Sequence, residues 1–218
     1  MRHRRRLLTG VSAAIAFTSI CAAPAAWAQE AKLFQNSWFW GAHGGTTSIG
    51  TPLASKQAAS IGGEWMITRS NVGLYVAYDQ ASFHLLSQIA DPSATGGARP
   101  VSISGMRSGS IAMVAFPGQF GSFRPYGALG VQMNVIATAT AELDSSGSAP
   151  SQQVITNTDD ARSRSAPFLM LGGQWQRQRV ALFGQLSLSP STDQFLLNSS
   201  MTMFSVGVRY NFGRSIEF

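Results

Sequence analysis

Cysteine is nearly absent from this 218-residue chain, and its only one, Cys21, falls within the first 28 positions. Beyond them there is no thiol, hence no disulfide framework, no thiolate metal site and no cysteine nucleophile. Charge is scarce too: 12% of residues are charged against 44% hydrophobic, which excludes a disordered tail or a coiled coil. The net charge of +6 misleads, because Arg2, Arg4, Arg5 and Arg6 supply four of the 16 basic residues. From Gln29 onward 12 basic residues face 10 acidic ones, leaving no basic surplus for nucleic acid. No segment after the leader carries a helical stripe. Histidine and carboxylate spacings offer no metal cluster and no cofactor motif, so neither is expected. The pairs Gly44-Gly45, Gly62-Gly63 and Gly172-Gly173 precede no helical pattern. They read as close packing and strand bends, not phosphate loops.

Residues 1–28 read as a secretory signal peptide. Arg2 to Arg6 form a positive head, Leu7 to Ala23 a mostly apolar stretch, and Ala26 and Ala28 the small residues read at cleavage. A membrane anchor fits less well, since the apolar run is short and broken by Thr9, Ser12, Thr18 and Ser19. Residues 29–36 follow as a short N-terminal segment on the periplasmic side. The barrel proper is expected over 37–218.

Period two then dominates. Val72, Leu74, Val76 and Tyr78 alternate with Gly73, Tyr75, Ala77 and Asp79; Val206, Val208, Tyr210 and Phe212 alternate with Gly207, Arg209 and Asn211. Such alternation marks strands whose two faces meet different surroundings. Eight strands are predicted, at 37–45, 58–68, 72–82, 101–116, 125–140, 164–175, 180–189 and 201–212. Most approach the roughly 9–11 residues a tilted strand needs to cross a bilayer. The connections run 12, 3, 18, 8, 23, 4 and 11 residues, long and short in turn. A membrane barrel has such long loops on one side and short turns on the other.

A sheet in lipid must close, because unpaired edge groups there cost several kcal/mol each. The fold class expected is therefore all-β: a closed antiparallel eight-stranded transmembrane barrel. Eight strands leave an interior that side chains fill. Glu64, Asp79 and Arg209 are expected to form a paired polar network there, with Tyr75, Gln132, Asn134, Gln174 and Gln185 beside it. Trp38, Trp40, Trp65, Tyr78, Trp175, Tyr210 and Phe212 lie near predicted strand ends, where an aromatic girdle belongs. Strand four resists: placing Ile111 and Met113 outward sends Arg107 to the lipid side. Either a bulge near Gly105 or Gly109 changes the phase, or Arg107 lies above the membrane.

Ser205-Val206-Gly207-Val208-Arg209-Tyr210-Asn211-Phe212 resembles the C-terminal assembly signal of outer-membrane barrels. The polar Ser205, Gly207 and the aromatics Tyr210 and Phe212 occupy the fixed positions. Pro125-Tyr126-Gly127-Ala128-Leu129-Gly130 is similar to a strand opening in small barrels of the OmpA and OmpX kind. The resemblance implies the bacterial outer membrane, contact with its lipid and lipopolysaccharide, delivery by the outer-membrane assembly machinery, and a monomer. A second frame, through Asn211, Gly213, Ile216 and Phe218, fits more loosely and leaves the end of the last strand open.

The resemblance also admits lipid-modifying barrel enzymes, which use a histidine and a serine near the outer rim. Here only His43 and His84 remain after the leader. Ser82 and His84 share a face by period two, with Asp79 and Ser87 close in sequence, so a rim pair is conceivable. A solvated loop histidine is the plainer reading, and His43 is expected to fill the lumen. The expected role is non-enzymatic, a structural or surface-interaction barrel acting through its outer loops. The alternatives are a lipid-modifying enzyme and a narrow small-solute channel.

Overall fold

The structure is a computed structural model that describes residues 34, 36–191 and 195–214. The leader over 1–28, with Ala26 and Ala28, lies outside the described residues, as do Ile216 and Phe218.

Eight antiparallel strands close into one barrel in sequence order. They are β1 (Ser37–Gly50), β2 (Ser55–Arg69), β3 (Val72–Ala90), β4 (Ala98–Ala115), β5 (Phe123–Ala141), β6 (Ser163–Arg177), β7 (Val180–Ser189) and β8 (Met201–Arg214). β1 pairs with both β2 and β8, which removes the free edge. Tracing the paired residues around the barrel from Pro167 returns to β6 at Arg177, ten residues along. A stagger of that size requires strands tilted about 35–45°. Both β1 and β8 reach the short-turn end, where Ser37 pairs with Arg214.

The outward faces carry an apolar belt, including Trp40, Ile61, Leu74, Ile111, Leu129, Val131, Leu171, Leu182, Val206 and Phe212, all exposed. Trp38, Trp40, Trp65, Trp175, Tyr210 and Phe212 gather toward the short-turn end. Trp38 and Trp65 meet edge to face at 5.5 Å, as do Tyr210 and Phe212 at 5.0 Å. Tyr78 is different. It sits mid-strand because β3 runs on to Ala90, and it is the last apolar outward residue before Gln80.

The first four strands outrun expectation at their loop ends. The first and third connections shrink to 51–54 and 91–97, because β1 through β4 continue as paired arms above the belt. The strict alternation of long and short therefore fails at 91–97 and 116–122, which are equal in length. Extended chain beyond the lipid keeps its backbone groups bonded by continuing the ladder, which the sequence reading treated as loop. A second surprise is α1 (Gln152–Asp160) in the 142–162 connection. Ser151 caps it, its Oγ accepting from Val154 N at 3.4 Å, and only Val154 and Thr158 are buried. Two residues make no helical stripe, so periodicity could not reveal it.

Strand four has both features proposed for it. Pairing of β3 with β4 slips at Gly105, which takes a φ of +64°, so that Ser82 and Phe83 oppose one residue. Above this bulge the phase reverses and Val101 and Ile103 turn inward. Below it Arg107 stays outward, paired in register with Gln80 and Val135. Gln80 is the first polar residue above the belt on β3, so Arg107 lies at the edge of the membrane, where an outward charge costs roughly 0–1 kcal/mol.

The interior is filled in three layers. At the short-turn end Phe34, Phe39, Met66, Phe116, Tyr126, Phe168 and Met170 form an apolar cluster. A polar layer follows. At the loop end Ile49, Phe83, Leu85, Val101, Ile103 and Ile136 pack around Phe195, Leu196 and Leu197 from the last loop. Leu196 is tied down by its N–H to Ala161 O at 3.2 Å and by Ser87 Oγ donating to its carbonyl at 2.7 Å. The lumen is thus less polar than expected: only its middle is polar, and its ends are apolar.

Candidate functional site

Two places collect polar side chains: the middle of the lumen and the outer arms. In the lumen, Glu64 of β2 and Arg209 of β8 form a buried ion pair across β1. The residue of β1 between them, in register with both, is Gly41. A Cβ there would stand 3.0 Å from both side chains. His43 of β1 bonds Asp79 of β3 across β2, Nε2 to Oδ1 at 2.6 Å, over Gly62 in the same manner. The two pairs meet where His43 Nδ1 lies 3.6 Å from Glu64 Oε2.

Arg209 is the hub. Its Nη1 donates to Gln174 Oε1 at 2.7 Å, and its Nη2 to Tyr126 OH and Gln185 Oε1, both at 3.2 Å. Its guanidinium also lies 3.9 Å over the Phe183 ring. Tyr75 donates to Glu64 Oε2 at 3.2 Å and accepts from Gln185 Nε2 at 3.1 Å. Ser108 and Gln132 both donate to Asn134 Oδ1. Buried charges persist only when paired and hydrogen-bonded, and these are. The structure therefore brings Glu64 and Arg209 together directly and joins Asp79 to them through His43. A void beside Asp79, lined by Thr47, Ser60, Ser108, Gln132 and Met201, measures about 10 Å³, room for about one water.

His84 is on the opposite side of the wall. It faces outward on β3 above the belt, with Ser82 exposed on the same face. Its Nε2 lies 3.4 Å from Ser102 Oγ of β4, a partner that only the β3–β4 register could reveal. Asp79 and Ser87 face inward and bond His43 and Leu196 instead. A His–Ser–Asp set built on His84 and Asp79 is therefore excluded by strand alternation.

The arms are braced at their tips. Arg99, fully buried, donates from Nε to Asp91 Oδ2 at 2.6 Å and from Nη1 to the carbonyls of Glu142 and Ser148. Asp144 Oδ1 accepts from Ser146 N, Ser146 Oγ and Ser148 N, and Oδ2 from Thr95 N at 3.2 Å. The donors from Ser146 and Ser148 hold the Asp144 carboxyl down to about 2, and Ser93 and Arg99 lower that of Asp91. Thr51 Oγ1 donates to Leu86 O at 2.7 Å, bridging the first loop to β3.

β2 stops pairing with β3 at Ala59–Ser82. From His84 to Ala90, β3 is laddered to β4 alone among the described residues. Its other edge carries no strand among the described residues, and of its outward-turned groups the Leu86 carbonyl is taken by Thr51 Oγ1. The Leu86 carbonyl faces that side, toward Thr51, and backbone alternation directs the N–H and C=O of His84 and Gln88 the same way. His84, Leu86 and Gln88 are exposed beside it.

At the chain's far end, Ser205 and Arg209 face inward while Tyr210 and Phe212 face out into the aromatic girdle. The β1–β8 register slips between Trp38 and Phe39, opposite Phe212, and the strand continues to Arg214. The uninterrupted alternation that the second frame requires is broken at that slip. Sequence reasoning missed Phe34, which lies against Phe116 at 4.7 Å and under Arg124 at 3.9 Å. It also missed Phe195 to Leu197. Both are apolar clusters outside any strand pattern.

A closed eight-stranded barrel with an outward apolar belt, an aromatic girdle and a charged, side-chain-filled lumen defines a class: the small barrels of the bacterial outer membrane. No protein-family model and no curated protein matches the chain. Among solved structures it resembles neisserial surface protein A, at 15% identity and a TM-score of 0.54, over 80% of this chain and 97% of that one. It also resembles the attachment invasion locus protein of Yersinia pestis, at 9% identity and a TM-score of 0.50, over 82% of this chain and 99% of that one. At these identities the shared property is the fold.

Proposed function

We propose that this barrel is a non-enzymatic surface protein whose outer arms make contact with partners outside the cell. The observation that carries the reading is the open edge of β3 from His84 to Ala90, raised above the belt on a braced hairpin. Unpaired strand edges are usually shortened, charged or covered. This one is uncharged and flanked by exposed Leu86, and apart from the Leu86 carbonyl, held by Thr51 Oγ1, its outward-turned backbone groups are placed to accept an added strand from a partner. The attachment invasion locus protein, by its name, has a role in attachment, which agrees with a surface role here. The test compares cells carrying the wild-type protein with cells carrying L86K/Q88P. Both changes fall on the outward face, and the Gln88 N–H points to the open side. Adherence should fall with detergent resistance unchanged. Equal adherence would defeat the reading.

The 3.4 Å approach of His84 to Ser102 favours a second reading, a lipid-modifying enzyme at the rim. Its weakness is the absence of a carboxylate behind His84 among the described contacts. Incubation of purified protein with labelled lipid A decides it: turnover abolished by H84A would establish the enzyme. Against a small-solute channel stands the layered filling of the lumen, and a planar-bilayer recording should show no discrete conductance steps.

A further inference from the structure

The short turns carry a charge pattern that the outer arms do not. Among the described residues the carboxylates lie either in the lumen (Glu64, Asp79) or on the loop side (Asp91, Glu142, Asp144, Asp159, Asp160). The exposed residues of the short turns include Arg69, Arg177 and Arg179 and no acid. The β6–β7 turn adds shape to this charge. A groove of about 290 Å³ is lined by Trp175, Arg177, Gln178, Val180 and Leu182.

These residues lie on the outer wall at the lower edge of the belt. Trp175 pairs in register with Leu182, and Arg177 with Val180. The groove is therefore graded: aliphatic toward the belt at Leu182 and Val180, an indole at the side, a guanidinium at the end facing water. Neither Arg177 nor Arg179 has an ion pair among the described residues. A ligand that matches has a hydrocarbon tail running up the wall and an anion at the interface.

We propose that this groove is a glycerophospholipid site, with Arg177 on the phosphate and the acyl chain along Val180 and Leu182. Guanidinium binds phosphate through paired N–H donors, and an indole beside it suits the headgroup boundary. The assignment rests on the membrane reading, with the short turns in the phospholipid leaflet and the arms outside. The site would fix the barrel's depth at the end opposite Arg107.

Native mass spectrometry of the intact barrel released from micelles containing phosphatidylglycerol tests this. Wild-type protein should retain one phosphatidylglycerol, and R177Q should lower that retention roughly 5-fold, as expected for one interfacial cation. R177K should retain it, and R107Q, which removes the cation at the other belt edge, should behave as wild type. Equal retention by R177Q, or an equal loss in R107Q, overturns the site. So does preferential retention of purified lipid A through Arg177. Heat-dependent gel mobility checks that each variant is a folded barrel. A wild-type protein that fails to insert into liposomes would instead overturn the membrane reading, a result distinct from any of these.

Discussion

His43 and Asp79 bond at 2.6 Å from strands that are not neighbours, because the residue of β2 between them is Gly62. A Cβ at Gly62 would fall 2.4 Å from Asp79 Oδ1 and 2.5 Å from His43 Nε2. No side chain fits there without parting the pair. G62A should therefore separate the two and destabilise the barrel by about 1–3 kcal/mol, the cost of leaving buried polar groups without their hydrogen bond. G63A is the control, since its Cβ would meet only Gly41 O at 3.7 Å. Urea unfolding followed by tryptophan fluorescence distinguishes them, and equal midpoints would refute the bridging role.

Arg209 should show non-additivity. R209M leaves the buried Glu64 carboxylate without its guanidinium partner and should cost about 3–5 kcal/mol, while adding E64Q should recover a large part of it. The double-mutant cycle in folded micelles gives the coupling. A coupling near zero would mean that Gln174, Gln185 and Tyr126, not Glu64, hold the guanidinium.

Acid should release the arm tips before the barrel. Asp144 and Asp91 titrate below their ordinary value of 3.8, so the folded loops are favoured above that pH. This contribution is lost as pH falls through about 2, where Asp144 takes up its proton in the folded state. Amide signals of Ser146 and Ser148 should shift over that range, and D144A should show the acid-form spectrum at neutral pH. A midpoint at or above 3.8 would contradict the bonded arrangement.

Topology follows from the arms. A protease site inserted at Gly147 should be cut on whole cells, and one at Ser70 only after the outer membrane is opened. The reverse pattern would place the arms in the periplasm.

Assembly should depend on the girdle end of β8. F212A should sharply reduce insertion, whereas removal of residues 215–218 should be tolerated, leaving Gly213 and Arg214 to pair with β1. The amount of heat-modifiable protein in outer-membrane fractions reads both. Failure of the truncation with normal assembly of F212A would favour the second frame.

Period two made the barrel legible because each strand separates lipid from lumen, and Glu64, Asp79 and Arg209 stood out as charges on the inward phase. Pairing partners were not legible. That Glu64 meets Arg209 over Gly41 depends on the register of three strands, which alternation alone leaves free to slide. His84 shows the same limit: the hydroxyl it meets at 3.4 Å is that of Ser102, 18 positions away on β4. Phe34 and Phe195 to Leu197 contribute burial without periodicity, so their tertiary roles leave no local trace.

The bulge at Gly105 has a consequence for how this surface can vary. Because the phase of β4 reverses there, the arm's inward set, Val101 and Ile103, is indexed from the bulge rather than from the lipid belt. Residues added to or taken from the hairpin tip in matched twos alter its reach while Ile111 and Met113 keep their sides. The membrane half and the exposed half of the same hairpin are thus free to diverge under separate constraints, as two modules on one continuous ribbon.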